Sequence, residues 1–348
     1  MCNNNNSKGK IIKRVIGLIV LLLFLGCSKH TITKNQTTST EIAFVLCEGN
    51  LGGNNSSIHT LNSDALNLTT GDTGQSIAVY GDNILVINNG SSNVVIYNIS
   101  VEGIIEYSSV IDLNGSQPRE ILIIDDKAYI SQWNVNGIAV IDLQSFTHTA
   151  TIEVDGASEG LAFDGTYIYT AIIYSDKSNW LAGDTVVKIN PTTKTAIHIY
   201  NVFTSPVQLI IHNDMLYVSH TYYDADYNKS FASSRIDLMN DEVIYVDHGN
   251  TNNFENDFSI NKHDGFLYRA YNKGIVSLNE DLYVDISTYI GTEYSGLYSM
   301  KINTGFIYLG FGDGIAPDNI IILDFDGNEV DNFEVGAFPG SFAFWKSE

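Results

Sequence analysis

The sequence is short of positive charge. Its 348 residues carry 18 Lys plus Arg against 40 Asp plus Glu, a formal net charge of −22. Nucleic acid is held mainly through Lys and Arg on phosphate, so this balance argues against a nucleic-acid partner. It also opposes adsorption to an anionic membrane surface. Cysteine is nearly absent, at positions 2, 27 and 47, which leaves no disulfide framework. Eight His are present, but none stands in a His-x-His or His-x-x-x-His pair, so a preformed zinc site has no support. No nucleophile elbow, phosphate-cradling Gly loop or kinase motif set occurs. Neither a metal nor a cofactor is therefore expected. Charged residues make up only 17% and Pro only 5 positions, while 44% of the chain is hydrophobic, enough for a packed core. What the chain has in quantity is 29 Gly, 20 Tyr and 16 Phe, and that enrichment points to all-β structure.

Long apolar runs are also missing, except residues 15–25. That run follows Lys8, Lys10, Lys13 and Arg14 with no acid among them, the layout of a secretory leader rather than a spanning helix. It ends Leu23-Phe24-Leu25-Gly26-Cys27, which resembles a bacterial lipobox. Residues 1–26 are read as a lipoprotein signal peptide, Cys27 as the lipidated N-terminus, and 27–40, rich in Thr, Ser, Lys and Asn, as a flexible tether. Processing leaves 14 Lys plus Arg against 40 acids, a net of −26. Cys47 lies in an apolar strand pattern and is expected to be a buried, inert thiol.

From residue 41 the chain repeats. Apolar triplets centred on 45, 86, 129, 169, 217, 268 and 308 recur at spacings of 41, 43, 40, 48, 51 and 40. A sevenfold repeat in the low forties suits four strands and their turns per propeller blade. The unit at 119–154 reads as strands A to D over 119–124, 127–132, 137–143 and 148–154, with A nearest the central axis. The unit before it gives 76–80, 83–88, 93–99 and 104–110. The two ends are complementary. The first repeat has B, C and D over 42–47, 57–62 and 65–70 but no A, whereas 339–345 looks like an A strand with nothing after it. Together they complete a blade and remove exposed edges. The fold class expected is all-β, a single seven-bladed β-propeller over residues 41–348, closed by the C-terminal A strand with the N-terminal B, C and D.

In this scheme the B–C loops and the D-to-A connections share one face. Two B–C loops are long, 172–184 and 220–233, and long loops on a rigid scaffold are where function usually lies. They carry Tyr174, Trp180, Tyr222, Tyr223, Tyr227 and Phe231; Trp133, Asn134 and Tyr294 stand on the same face, and Gln75, Gln117 and Arg119 at the starts of inner strands. Aromatics offer broad contact at little rotamer cost and amides fix orientation, so these twelve are the candidate ligand-binding residues. Only His220 among the His falls in such a loop, as a lone exposed side chain. Asp324-Phe325-Asp326-Gly327-Asn328 and Asp224-Ala225-Asp226-Tyr227-Asn228 mimic the start of a calcium loop without its closing Glu; the first is read as a C–D turn.

Ala128-Tyr129-Ile130-Ser131 followed by Gly137-Ile138-Ala139-Val140-Ile141-Asp142 resembles the Tyr-Val-Thr-Asn propeller repeat, and Phe44-Val45-Leu46-Cys47-Glu48-Gly49-Asn50 resembles the opening of lipoprotein propellers common in Bacteroidetes. That family includes surface lipoproteins that capture vitamin B12 and hand it to a TonB-dependent transporter. The resemblance implies an outer-membrane lipoprotein of the cell envelope. It implies a monomer apart from a transporter partner, touching the membrane only through its lipid. Ser28-Lys29-His30 follows Cys27 and the first acid is Glu41, so the side of the membrane it faces stays open. The functional expectation is a non-catalytic protein that captures a small, flat, partly apolar nutrient of the corrinoid kind. Two alternatives stand beside it: a lyase or hydrolase using carboxylates among Glu120, Glu159, Asp257 and Glu293, and a protein-docking platform.

Overall fold

The seven apolar triplets are strands, each the second of four antiparallel strands in its own sheet. The computed structural model describes residues 41–61, 66–250 and 259–347. The leader expected over 1–26, the tether over 27–40, Cys27 and Asp257 lie outside the described residues. Seven four-stranded sheets make a seven-bladed β-propeller. Blades 1 to 6 occupy residues 74–112, 118–153, 157–201, 206–249, 260–291 and 297–335. Blade 7 is composite: Pro339–Lys346 supplies the inner strand, and Glu41–Cys47, Ser56–Thr60 and Asn67–Gly71 complete it. Glu41 pairs with Lys346, Phe44 with Ala343 and Cys47 with Pro339, so the first and last described strands lock into one sheet.

The B strands of successive blades are apolar on both faces because each sheet is sandwiched between its neighbours. Phe44, Val86, Tyr97 and the fully enclosed Trp345 share one inter-blade core, and Val45, Cys47, Tyr308 and Phe342 share another. Cys47 is completely buried, and burial pushes its thiol far above the ordinary range, so it is inert at neutral pH.

The inner strands pose a separate problem. Each is a sheet edge, and its inward N–H groups have no strand to pair with. Around most of the ring, a side chain of the preceding blade supplies the acceptor. Ser341 Oγ accepts from Ile77 N–H (3.3 Å), Ser76 Oγ from Ile121 N–H (3.4 Å), Glu120 Oε2 from Leu161 N–H (3.0 Å) and Gln208 Oε1 from Ile260 N–H (2.5 Å). Between blades 5 and 6, Asn261 accepts from Ile302 N–H at 3.2 Å and donates to Met300 O. Ser299 Oγ donates to Pro339 O between blades 6 and 7. The junction of blades 3 and 4 uses no side chain: at Gly160 a Cβ would lie 2.2 Å from Val207 O, so only glycine lets these backbones meet. This belt spans the ring and sets the distance between inner strands.

Two expectations are corrected. The loops expected over 172–184 and 220–233 are mostly strand. Ile168–Asp176 and Leu181–Asn190 form one long hairpin, with Tyr174 opposite Ala182. Met215–Tyr223 and Lys229–Asp237 form another, with Tyr222 opposite Ser230. Backbone pairing continues past the ring, so only 177–180 and 224–228 turn the chain. Asp224 and Asp324 each accept two or more N–H groups of their own tight turns, the hairpin role open to such Asp-rich segments.

Trp345 fills an inter-blade core, and its Nε1 donates to Asp82 Oδ1 at 3.0 Å. Replacing Trp345 with Ala is expected to cost about 3–5 kcal/mol. Urea unfolding checks this; a loss under about 1 kcal/mol would mean that the composite blade does not hold the ring closed.

Candidate ligand-binding site

Arg119 begins the inner strand of blade 2 and points into the central channel. Its Nε and Nη2 hold Glu159 of blade 3 in a bidentate pair (2.8–3.1 Å), and its Nη1 donates to Gln75 of blade 1. Their side chains keep only 15% and 10% of their surface, so the pair is largely desolvated. Burial by itself would lower the Arg119 pKa, but the charge and bonds of Glu159 outweigh it, and the guanidinium is held charged more firmly than usual. Trp133 closes this group from the outer side. Its indole donates to Glu159 Oε2 at 2.5 Å, and Arg119 stacks on its ring at 4.1 Å.

Beyond Trp133 the aromatic series continues. Tyr174 meets Trp133 edge-on at 5.4 Å and Trp180 at 5.3 Å. Trp180 sits in the left-handed region (φ 54°) at the end of a single helical turn, Lys177–Asn179, which Asp176 caps through the N–H groups of Ser178 and Asn179. This strained corner holds the indole 62% exposed, with the Lys177 ammonium 3.3 Å above its centre. Burial, then repulsion from Arg119, lowers the Lys177 pKa. A cavity of about 520 Å³ opens here, lined by Trp133 and Trp180 with Asn134, Asn136, Asp176 and Lys177 among its polar residues.

The twelve residues expected from sequence thus divide. Gln75, Arg119, Trp133, Asn134, Tyr174 and Trp180 come together on blades 1 to 3. Gln117 does not present its side chain to either cavity; its backbone, at φ 52°, bonds Ser92 and Trp133. Tyr222, Tyr223 and Tyr227 form a second group on blade 4. Tyr222 packs on Phe203 and donates to Asp247 Oδ1 at 2.6 Å, while Tyr223 and Tyr227 are 68% and 87% exposed. Phe231 is buried within blade 4 and offers a ligand no surface. Tyr294 lies in the connection between blades 5 and 6, against Phe311 and apart from the others. His220, read as exposed, is fully buried: Nδ1 meets Thr204 O and Nε2 meets Ser234 Oγ, and burial pushes its pKa down to about 3.

The channel also brings Glu120 and Glu159, two of the carboxylates expected for an enzyme, together with Glu48, Tyr298 and Lys301, which were not among the candidates. Glu48, Glu120, Tyr298 and Lys301 line a second cavity of about 550 Å³ together with Arg119 and Glu159. Glu48 accepts from the Tyr298 hydroxyl at 2.7 Å, and burial raises its pKa. Burial likewise raises that of Glu120, to about 7. Lys301 is exposed and lines the same cavity, and desolvation lowers its pKa. Glu120 follows Arg119 at an inner-strand start, the place that Ser76, Gln208 and Ser341 hold in other blades.

No family model and no curated protein matches the chain. The solved structures it resembles are β-propellers. A Lactobacillus plantarum protein superposes with a TM-score of 0.64 at 12% identity, covering 88% of this chain and 99% of the other. A candidate 6-phosphogluconolactonase from Bacteroides uniformis gives 0.63 at 12%, covering 88% and 99%. Another from Bacteroides fragilis gives 0.63 at 13%, covering 89% and 99%. At these identities the likeness is one of fold.

Glu120 offers a test of the channel's electrostatics. Its folded pKa of about 7 exceeds its ordinary 4.5, so the stability this group contributes is complete below 4.5 and is lost as pH rises through 7. Glu120→Gln retains the acceptor for Leu161 and removes the titration. Melting temperatures from pH 4.5 to 8 are expected to fall in wild type relative to the variant; a constant difference would show that Glu120 titrates normally.

Proposed function

We propose that this chain is a non-catalytic binding propeller, anchored to the outer membrane through Cys27, that captures a small ligand with a flat, partly apolar face and a polar edge. One observation carries the reading: Trp133 and Trp180, from two blades, line one cavity whose remaining lining is polar or charged, and Tyr174 braces both rings edge-on. Trp180 offers the face, and the amides of Asn134 and Asn136 offer the edge. Lys177 now occupies the Trp180 face, so a flat ligand displaces the ammonium toward its own rim, where an anionic substituent pairs with it. Corrinoids are the ligand class proposed, and a TonB-dependent transporter the partner that receives them. The exposed Tyr223 and Tyr227 on the adjacent hairpin suit contact with that partner.

Titrating the protein with cobalamin, haem and oligosaccharides while following tryptophan fluorescence and heat tests this reading. Saturable quenching by one class is expected, with Trp180→Ala weakening it by about thirty-fold, roughly 2 kcal/mol. Absence of binding by all three would overturn it.

A second reading has its own support. A carboxyl with a pKa of about 7 in a channel suits general acid–base work, and two fold neighbours carry lactonase names. Under it the protein hydrolyses a sugar lactone with Glu120 as acid–base. Lactone hydrolysis is then abolished in a folded Glu120→Gln variant. Against it, Glu120 occupies the belt position that Ser76, Gln208 and Ser341 fill elsewhere, which gives it a structural task already.

A further inference from the structure

Most polar groups in the central channel are already committed. Arg119 is taken by Glu159 and Gln75, and the belt side chains by neighbouring backbones. Three groups keep open bonding capacity toward the 550 Å³ cavity. Glu48 receives one donor, Tyr298, on Oε1. Glu120 receives one, Leu161 N–H, on Oε2. The Lys301 ammonium has no hydrogen-bond or ion-pair partner within 4.0 Å among the described residues, and its exposed side chain lines the same cavity. Space beside Glu48 is reserved: a Cβ on Gly340 would lie 2.8 Å from its Oε1, so glycine there keeps the carboxylate in place.

We propose that the central channel is a binding site, separate from the aromatic cavity, for a small zwitterion bearing an ammonium and a carboxylate. The ammonium pairs with Glu48 and is drawn by Glu120, and the carboxylate pairs with Lys301. The site's charges are otherwise balanced. Arg119 and Glu159 cancel, and Lys229 at the rim offsets one of the two remaining carboxylates. A ligand of either single charge therefore leaves one pole of the site unmet, whereas a zwitterion meets both. The charged groups facing Glu120 are Arg119, Glu159 and Lys301; those facing Glu48 are Arg119 and Glu159. An ammonium expels the protons that burial favours on both carboxyls, so binding strengthens as pH rises.

The probes are glycine, 4-aminobutanoate and 6-aminohexanoate, against butylamine and butyrate, measured calorimetrically on the full protein. At least one zwitterion is expected to bind at least tenfold more tightly than both single-charge controls, and to gain up to about tenfold between pH 6 and 8. Glu48→Gln and Lys301→Met are each expected to cost tenfold or more, while Trp180→Ala leaves the affinity unchanged. That last arm separates this site from the aromatic cavity, whose ligand depends on Trp180. The comparison of probes on wild type stands even if a variant fails to fold. The proposal is overturned if no zwitterion binds, if butylamine or butyrate binds equally well, or if both folded variants bind like wild type.

Discussion

The inner edge of each sheet is the constraint on which the molecule depends. Seven strands face an axis where no further strand can pair with them, and unpaired buried N–H groups are costly. At five junctions one side chain, a Ser, Glu, Gln or Asn, accepts from such an N–H; at the others Ser299 donates to Pro339 O and Gly160 lets two backbones approach closely. These contacts fix how closely the inner strands approach. They thereby fix the channel's width and the position of the residue just before each belt position, which points to the mouth. Gln75, Arg119 and Glu159 hold that position in blades 1, 2 and 3, close enough to bond one another. A buried ion pair adds little net stability where its desolvation offsets its attraction, but losing one partner leaves a stranded charge. Arg119 and Glu159 therefore act less as a weld than as a rigid post on which Trp133 is hung.

From that post the site grows outward by hairpin extension. The B and C strands of blade 3 run on past the ring as a paired ladder, and Asp176 turns their tip so that Trp180 faces solvent beside Tyr174. Blade 4 extends in the same way, and its phenols come near enough to blade 3 for Tyr223 to raise the pKa of Tyr174, behind burial and the larger effect of Glu159. Aromatic groups on paired strands lose less freedom on meeting a ligand than groups on loops, so the cavity is preorganised. The channel beneath is of a different kind. Its walls are charged rather than aromatic, and burial raises the pKa of Glu48 and Glu120.

Much of the fold was legible from the order of residues alone. The seven triplets are seven B strands, three of the predicted strands match to the residue (83–88, 93–99 and 127–132), and the split blade closes as the complementary ends required. Less of the site was legible. Six of the twelve candidate residues converge, but Phe231 is buried, Gln117 acts through its backbone, and Tyr294 lies across the ring. Hydropathy does not separate an aromatic on a strand's outer face from one packed inside, because both follow the same alternation. Glu48 and Lys301 escaped notice for a related reason: each is a single charge in an apolar stretch, and only the ring brings blades 6 and 7 against blade 2.

The sequence by itself therefore determined the local and repetitive features: strand identity, turn chemistry at Asp324, the period that counts the blades, and the composite closure. Each depends on neighbours a few residues apart or on self-similarity along the chain. Only the tertiary structure decided which charges meet. Arg119 and Glu159 stand 40 residues apart, and Tyr298 and Glu48 stand 250 apart. Their encounter depends on strand register and on the belt spacing of the inner ring, where a shift of one residue would turn each of these side chains away from the axis.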